Sequence, residues 1–291
     1  VLGGCFFWNQ LSIQFFYQGL KQLDNFLQKM KLDYVLVACN DNKHYLDFWP
    51  AVKTAWQEVV GVLCYMIYVG EALPENLKTD PGVIWFKPIE GWPTATQAQV
   101  IRLLYPALLD CSGAVMISDM DMIPMQSGFF RDGLSLFSDS QFVSLRGIDE
   151  HEKQIYMCYV AATPRTWRDM FKIETIEDIR SVMTALSQQY PADGMHGGNG
   201  WCTDQIVLYK KVKEWQRDLP ERVGLIPWTP QIPRLDRGNP MEWFYWTELL
   251  ETKIMNKAYI DFHMPPYEDF RDNIDNILKY TIYTLRNALN S

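Results

Sequence analysis

The chain has no G-x-G-x-x-G stretch and no G-x-x-x-x-G-K-[ST] stretch. The dinucleotide fingerprint and the P-loop are therefore both missing, so neither glycine-rich cradle for phosphates is available. Histidine is scarce, with four in 291 residues. The six cysteines, Cys5, Cys39, Cys64, Cys111, Cys158 and Cys202, show no C-x-x-C spacing. That excludes a zinc ribbon or finger. Cys39, Cys64 and Cys158 sit inside apolar runs and read as buried thiols. No Asn-x-Ser/Thr sequon occurs. Scattered thiols without sequons favour a reducing compartment, so a cytoplasmic setting is expected. No uninterrupted apolar run reaches the length of about 20 residues that a membrane-spanning helix needs. Residues 1–20 are apolar and aromatic, but Asn9, Gln10, Ser12, Gln14 and Gln18 interrupt them. No basic stretch precedes them, which makes a poor signal peptide. A helix packed on the domain, on a membrane surface or on another subunit is expected there. A positive excess is missing too. The net charge of −8 opposes nucleic-acid binding through a basic surface,.

What is present is globular: 48% hydrophobic and 21% charged residues, enough to bury a sizeable core,. Aromatics are abundant, with 11 Trp, 15 Tyr and 15 Phe. They suit either a large core or a groove whose rings stack on flat ligand faces, sugars included.

Along the chain, strand and helix patterns alternate. Residues 10–31 have helical spacing, with Leu20, Leu23, Phe26, Leu27 and Met30 on one face,. Strands are expected over 34–39, 62–69, 83–86 and 114–117, with helices over 46–60 and 94–109 between them. Thr94 is the expected cap of the second helix. Such alternation is the signature of a mostly parallel sheet flanked by helices. Beyond Pro124 the pattern loosens. Strands are expected over 142–146, 156–162, 222–226 and 258–262, and helices over 164–171, 174–190, 203–215, 242–257 and 267–289. Residues 191–200 are glycine-rich and 227–240 proline-rich, so both read as irregular. No repeat or linker appears. The expectation is an N-terminal helical segment over 1–33 and one α/β domain over 34–291. Its 34–124 half would bind a nucleotide, and its 125–291 half would complete the site.

The apolar run Ala114 to Ile117 leads into Asp119-Met120-Asp121. Ligands of open α/β sheets collect at the carboxyl ends of strands. Side chains alternate along a strand, so Asp119 and Asp121 are expected to point one way and Met120 the other. Two hard oxygens on one face suit Mg²⁺ or Mn²⁺ holding phosphates. Taken alone, the D-x-D motif is more often a polar strand end with two solvated aspartates.

Other segments offer chemistry of the same kind. Ala38-Cys39-Asn40-Asp41-Asn42 closes the first strand, where Asn and Asp can meet a base and ribose or simply make a polar turn. Arg102 sits among Val100, Ile101, Leu103 and Leu104. It could pair with a phosphate or an aspartate. His263 ends an apolar strand, and neutral imidazole is a good ligand for Mn²⁺, although a lone histidine is more often structural. Thr203 or Asp204 could cap the helix after the glycine-rich loop, or Asp204 and Gln205 could flank a reacting sugar. Arg234, Asp236 and Arg237 could brace the proline-rich loop or line an acceptor groove.

Taken in order, these motifs resemble the nucleotide-sugar glycosyltransferases of the GT-A fold. Ala38-x-Asn40-Asp41-Asn42, Arg102-Leu103-Leu104-Tyr105, Asp119-x-Asp121, Asp204-Gln205 and His263 are most similar to the retaining family 8, which includes glycogenin-like enzymes and galactosyltransferases. The resemblance runs from about Tyr34 to Tyr267. It implies a Rossmann-like single domain. Ala38, Asn40 and Asn42 would meet the nucleoside, Arg102 and Asp119 the donor, and Asp119, Asp121 and His263 a Mn²⁺ or Mg²⁺ ion. Asp204 and Gln205 would lie at the reacting face, and Trp201, Arg234 and Asp236 at the acceptor. The implied partners are a UDP- or GDP-sugar and a glycan or other hydroxyl acceptor. A lumenal Golgi-type domain freed of its anchor is the alternative to a cytoplasmic enzyme. Two positions depart from the family: Asn40 stands where an acid is usual, and Met264-Pro265-Pro266-Tyr267 lacks the family's phosphate-binding lysine. An inverting enzyme would need a carboxylate base, for which Asp204, Asp236 and Asp149 are candidates. A nucleotidyltransferase and a noncatalytic carbohydrate-binding or scaffold protein remain the alternatives of other classes.

Overall fold

The computed structural model describes residues 28–217, 219–227 and 233–290. The helix expected over 10–31 lies mostly outside them. Its described end is not helical: Lys29 bridges Ser138, and the backbone amide of Met30 donates to the carbonyl of Phe137. Strand β1, Leu32–Asn40, then begins two residues earlier than the apolar pattern suggests. Among the described residues no helix is long and apolar enough to cross a membrane.

β1 is followed by a short helical turn, Lys43–Leu46, and by α1, Trp49–Ala55, which ends in a π-helical turn, Trp56–Val60. Gly61, at φ +75°, closes this helix in the left-handed region, where only glycine is unstrained,. β2 (Leu63–Val69), β3 (Val83–Phe86), α2 (Thr94–Leu104), β4 (Ala114–Ile117) and β5 (Met122–Pro124) complete the first half. The second half holds α3 (Gly128–Leu134), β6 (Phe142–Ser144), β7 (Val160–Ala162), α4 (Pro164–Phe171) and α5 (Ile176–Gln189). It ends with α6 (Thr203–Trp215), β8 (Val223–Leu225), β9 (Leu235–Asp236), α7 (Glu248–Met255), β10 (Asp261–His263) and α8 (Tyr267–Asn290).

The main sheet has seven strands in the order β3-β2-β1-β4-β7-β6-β8. β3, β2, β1 and β4 are parallel, β7 runs against β4 and β6, and β8 pairs parallel with β6. This is the expected α/β architecture, mostly parallel and flanked by helices. Both faces are dry. On β1, Val35, Val37 and Cys39 pack toward α1 and α8, while Leu36 packs toward α2 and α4. A parallel strand buried on both faces reads as a continuous apolar run, which Tyr-Val-Leu-Val-Ala-Cys is. A second sheet, β5-β10-β9, leans on the first; β10 is antiparallel to β5 and parallel to β9.

The strand order reverses between β1 and β4. Connections on the two sides of that point leave in opposite directions, so a crevice opens at the carboxyl ends of those two strands.

Candidate functional site

The crevice at the reversal is a cleft of about 280 Å³. β1 supplies Ala38, Cys39 and Asn40, and the loop after it supplies Asn42 and Tyr45. α2 supplies Arg102, and the turn after β4 supplies Asp119 and Asp121. α6 contributes Asp204 and Gln205, while Arg237 and His263 come from the small sheet. Trp201, His196 and Gly194 close it from the glycine-rich loop.

The two aspartates arrive differently from expectation. β4 stops at Ile117, and residues 118–121 form a turn, with the Met122 amide reaching the Asp119 carbonyl at 3.4 Å. Strand alternation therefore does not aim them. Met120 and Met122 are buried in the core and pin the turn, leaving both carboxylates on the cleft side. The two then take different partners.

Asp119 belongs to Arg102. The guanidinium of Arg102 is 11% exposed and touches four acceptors. These are the Asp119 carboxylate, Asp204 Oδ2 at 2.8 Å, and the carbonyls of Ser118 and Gln99, each at 3.2 Å. Burial would lower the pKa of Arg102, but the two carboxylates outweigh it and hold the side chain charged. Asp204 is 1% exposed, and both of its oxygens are engaged, Oδ1 by the Gln205 amide at 2.8 Å. Burial lifts its carboxyl above the ordinary range, with Arg102 working against that. The caps expected here are corrected. Neither Thr203 nor Asp204 caps α6, whose N-cap is Cys202. Thr94 is not the cap of α2 either; Pro93 stands there, and Thr94 Oγ1 accepts from Asn40 Nδ2 at 3.1 Å.

Asp121 belongs to the small sheet. Its Oδ2 lies 2.9 Å from Arg237 Nη1 and 3.4 Å from His263 Nε2. Burial would raise its carboxyl, but the His263 hydrogen bond and the charges of His263 and Arg237 take it below the usual range. His263 sits opposite Met122 and beside Asp236 in the β10 register. Its Nδ1 lies 3.2 Å from Asp236 Oδ2, which leaves Nε2 facing Asp121. Burial alone would lower its pKa; Asp121 raises it on balance.

Asn40 and Asn42 form the polar end of β1. Asn40 Oδ1 accepts from the Asn42 amide, and Asn42 Oδ1 caps the following turn at the His44 amide, 3.1 Å away. Cys39 is buried between core and cleft, which pushes its thiol up to about 12, so it is inert,. Opposite, Tyr45 Oη meets His196 Nδ1 at 3.2 Å, and the His196 ring lies 4.3 Å from that of Trp201.

Not every expected residue reaches the cleft. Arg234 does not line it. Its Nε and Nη2 bind Asp261 at 2.8 and 2.6 Å, and Tyr159 Oη donates to the same carboxylate. Asp236 stands behind His263 and also accepts from the Gly238 amide. Asp149 lies outside, bound to the Glu152 amide and Tyr156 Oη. Of the three residues expected to brace the proline-rich loop or line a groove, Arg237 alone reaches the cleft; Tyr45 and His196 line it without having been expected. For Tyr45 and His196 only the polar and glycine-rich loops around them pointed there.

Among the described residues no three His, Cys, Asp or Glu side chains are close enough to hold an ion unaided. The Asp121–His263 pair, one carboxylate and one imidazole braced by a second carboxylate, does suit a borderline divalent ion. Such an ion would complete its shell from phosphates and water, as Mg²⁺ and Mn²⁺ do at nucleotide sites.

No family model matches the chain, and no curated protein does. Several solved structures resemble it, glycosyltransferases among them. An active-site mutant of LgtC is 13% identical over 79% of this chain and 86% of its own, with a TM-score of 0.41. The galactosyltransferase LgtC in complex with donor and acceptor sugar analogs is 13% identical over 85% of this chain and 95% of its own, with a TM-score of 0.42. The apo form of the glycosyltransferase GlyE from Streptococcus pneumoniae TIGR4 is 10% identical over 85% of this chain, with a TM-score of 0.46; the match spans 62% of GlyE.

Proposed function

We propose that the chain is a metal-assisted glycosyltransferase that moves a sugar from a nucleoside diphosphate donor, a UDP-sugar by preference, to a hydroxyl acceptor with retention. What carries this reading is convergence. Amide side chains, two charge networks and a braced histidine, drawn from segments as far apart as Ala38 and His263, line one cleft at the sheet's reversal point,.

The amides of Asn40 and Asn42 offer donors and acceptors to a base and ribose, beside the small Ala38. Asp121 and His263 are the residues to hold a divalent ion, with Asp119 as a third donor that Arg102 would have to share. With an ion bound, Asp236 would hold the His263 proton on Nδ1 and so leave the Nε2 lone pair toward the cleft. A bound Mn²⁺ or Mg²⁺ would offset the charge that builds on the departing diphosphate. Arg102 fixes Asp119 and Asp204 relative to each other across the cleft floor. Gln205, beside Asp204, faces the space a donor sugar would fill. The rings of Trp201 and His196 give the acceptor side a flat apolar wall,.

The carboxylates support retention over inversion. A general base needs a free oxygen within reach of the acceptor hydroxyl. Asp204 has both oxygens engaged, while Asp149 and Asp236 do not line the cleft. The leaving phosphate itself is then the group able to accept the acceptor's proton.

Thermal shift with UDP and GDP, with and without Mn²⁺, tests the reading. Stabilisation by a nucleoside diphosphate that depends on the metal is expected, and Asp121→Ala should remove the metal dependence. No response to either nucleotide with Mn²⁺ present would sink the proposal. A panel of nucleotide sugars scored for hydrolysis identifies the donor, and the anomer of the product decides between retention and inversion.

A further inference from the structure

Among the described residues two arginines line the cleft, and they are not alike. Arg102 is 11% exposed and already meets four acceptors. Four of its five N–H donors are committed to the protein, which leaves a single one, on Nη2,. Arg237 is 37% exposed. Among the described residues its guanidinium makes one ion pair, from Nη1 to Asp121, and its Nε and Nη2 meet no protein acceptor. Its backbone is nevertheless fixed, because its amide donates to the His263 carbonyl at 2.9 Å. A tethered main chain with a loosely committed planar cation suits a phosphate, which takes two parallel N–H bonds from one guanidinium. Among the described residues no lysine lines the cleft.

We propose that Arg237 is the diphosphate ligand of this cleft, and that it neutralises Asp121 until the donor arrives. The inference rests on the function proposed above. Asp121 Oδ2 faces both Arg237 and the Nε2 of His263, so the guanidinium stands where a divalent ion would have to share that oxygen. Arginine and ion therefore compete for Asp121 while no diphosphate is bound. When the diphosphate binds, Arg237 turns its fork onto phosphate oxygens and releases Asp121. Nucleotide and ion are then taken up together, and the ion alone is held weakly. No bond is made or broken in this exchange; one ion pair replaces another.

The role has two signatures of opposite sign. In Arg237→Ala, preference for UDP over UMP should fall about tenfold or more, the loss of a charge-assisted contact to the second phosphate. Mn²⁺ alone should bind Arg237→Ala more tightly than the parent, since Asp121 has lost its competitor. Arg237→Lys should lie between the two on both scales. Titration calorimetry with UDP, UMP, GDP and GMP at fixed Mn²⁺ reads the first, and the spin-resonance signal of free Mn²⁺ reads the second. Should the alanine variant not fold, Arg237→Gln keeps the length of the side chain and removes the charge, and it is judged by the same two measurements. A diphosphate preference unchanged in the neutral variant, with the parent retaining it, overturns the role of Arg237 and leaves the proposed function standing. Unchanged Mn²⁺ affinity overturns the competition for Asp121. A parent that binds neither nucleoside diphosphate overturns both proposals together.

Discussion

Replacing Arg102 with methionine isolates the energetics of the cleft floor. The substitution keeps the volume of the stem and removes the charge. It strands two carboxylates, but unequally: Asp119 is 29% exposed and can turn to water, whereas Asp204 is 1% exposed and cannot. Breaking a buried pair by removing one partner costs about 3–5 kcal/mol, because the remaining charge stays desolvated. In a domain of this size each kcal/mol moves the midpoint by about 2–4 °C, so a loss on the order of 10 °C is expected. Neutralising the stranded partner should restore much of it. The Arg102→Met/Asp204→Asn double variant keeps an acceptor for the Gln205 amide and carries no buried charge, so it should melt well above the single variant. pH supplies an independent sign. Burial already raises the carboxyl of Asp204, and loss of Arg102 removes the opposing pull. With a folded pKa above the unfolded value of about 3.9, the folded variant binds the extra proton. Its stability therefore rises as pH falls through the folded pKa, and the gap to the parent narrows from neutral toward mildly acidic pH. Urea denaturation of all four members of the cycle at two pH values measures both effects. A double variant no more stable than Arg102→Met, or a gap that widens on acidification, would refute the reasoning.

Two further outcomes are expected. Tyr159→Phe removes one donor from the fully buried Asp261, whose oxygens are shared between Tyr159 and Arg234. The loss should be about 1–3 kcal/mol by urea denaturation, and a change under about 0.5 kcal/mol would show that Arg234 satisfies the carboxylate alone. Gly194→Ala puts a methyl group 2.7 Å from Pro93 Cβ, at a φ of +74° that alanine resists,. The loop bearing His196 and Trp201 must then shift, so sugar transfer to an acceptor should drop several-fold while the melting temperature moves by only a few degrees; unchanged transfer would take that loop out of the acceptor surface.

Much of the fold was legible because its elements are bounded by strong local signals. β3, α4 and α6 occupy the residues expected of them, since prolines or a glycine-rich loop fix where they begin. The parallel core of β1, β2 and β4 was legible for a different reason: strands buried on both faces are apolar throughout. Local signals misled where a tertiary partner won. Thr94 has the chemistry of a cap, yet its hydroxyl serves Asn40 from another element. Asp204 likewise has the chemistry and position of a helix-start residue, but a buried arginine from α2 claims it. The helix expected over 46–60 divides because Phe48 and Pro50 restart it and a π-turn ends it at Gly61.

The same limit governs the site. Composition and order bring Asp119, Asp121, Arg102, Asp204, Gln205 and His263 into view as residues that could carry chemistry. They do not say which cation each carboxylate meets. Arg102 and Asp204 are 102 positions apart, and Arg237 and Asp121 are 116 apart. Pairings over such separations depend on the reversal of strand order and on how the small sheet leans against β4, which no local pattern encodes. In sequence the two arginines differ only in their neighbours: Arg102 is set among apolar residues, and Arg237 in a charged, proline-rich stretch. Those neighbours foretell burial, and burial decides function here. The buried arginine commits four of its five N–H donors to the protein and becomes part of the floor, because unmet guanidinium donors inside the fold are costly,. The exposed one tolerates unmet donors, since water satisfies them, and so keeps them available for a ligand. An arginine is thus available to a diphosphate in this cleft in proportion to how little the protein itself requires of it.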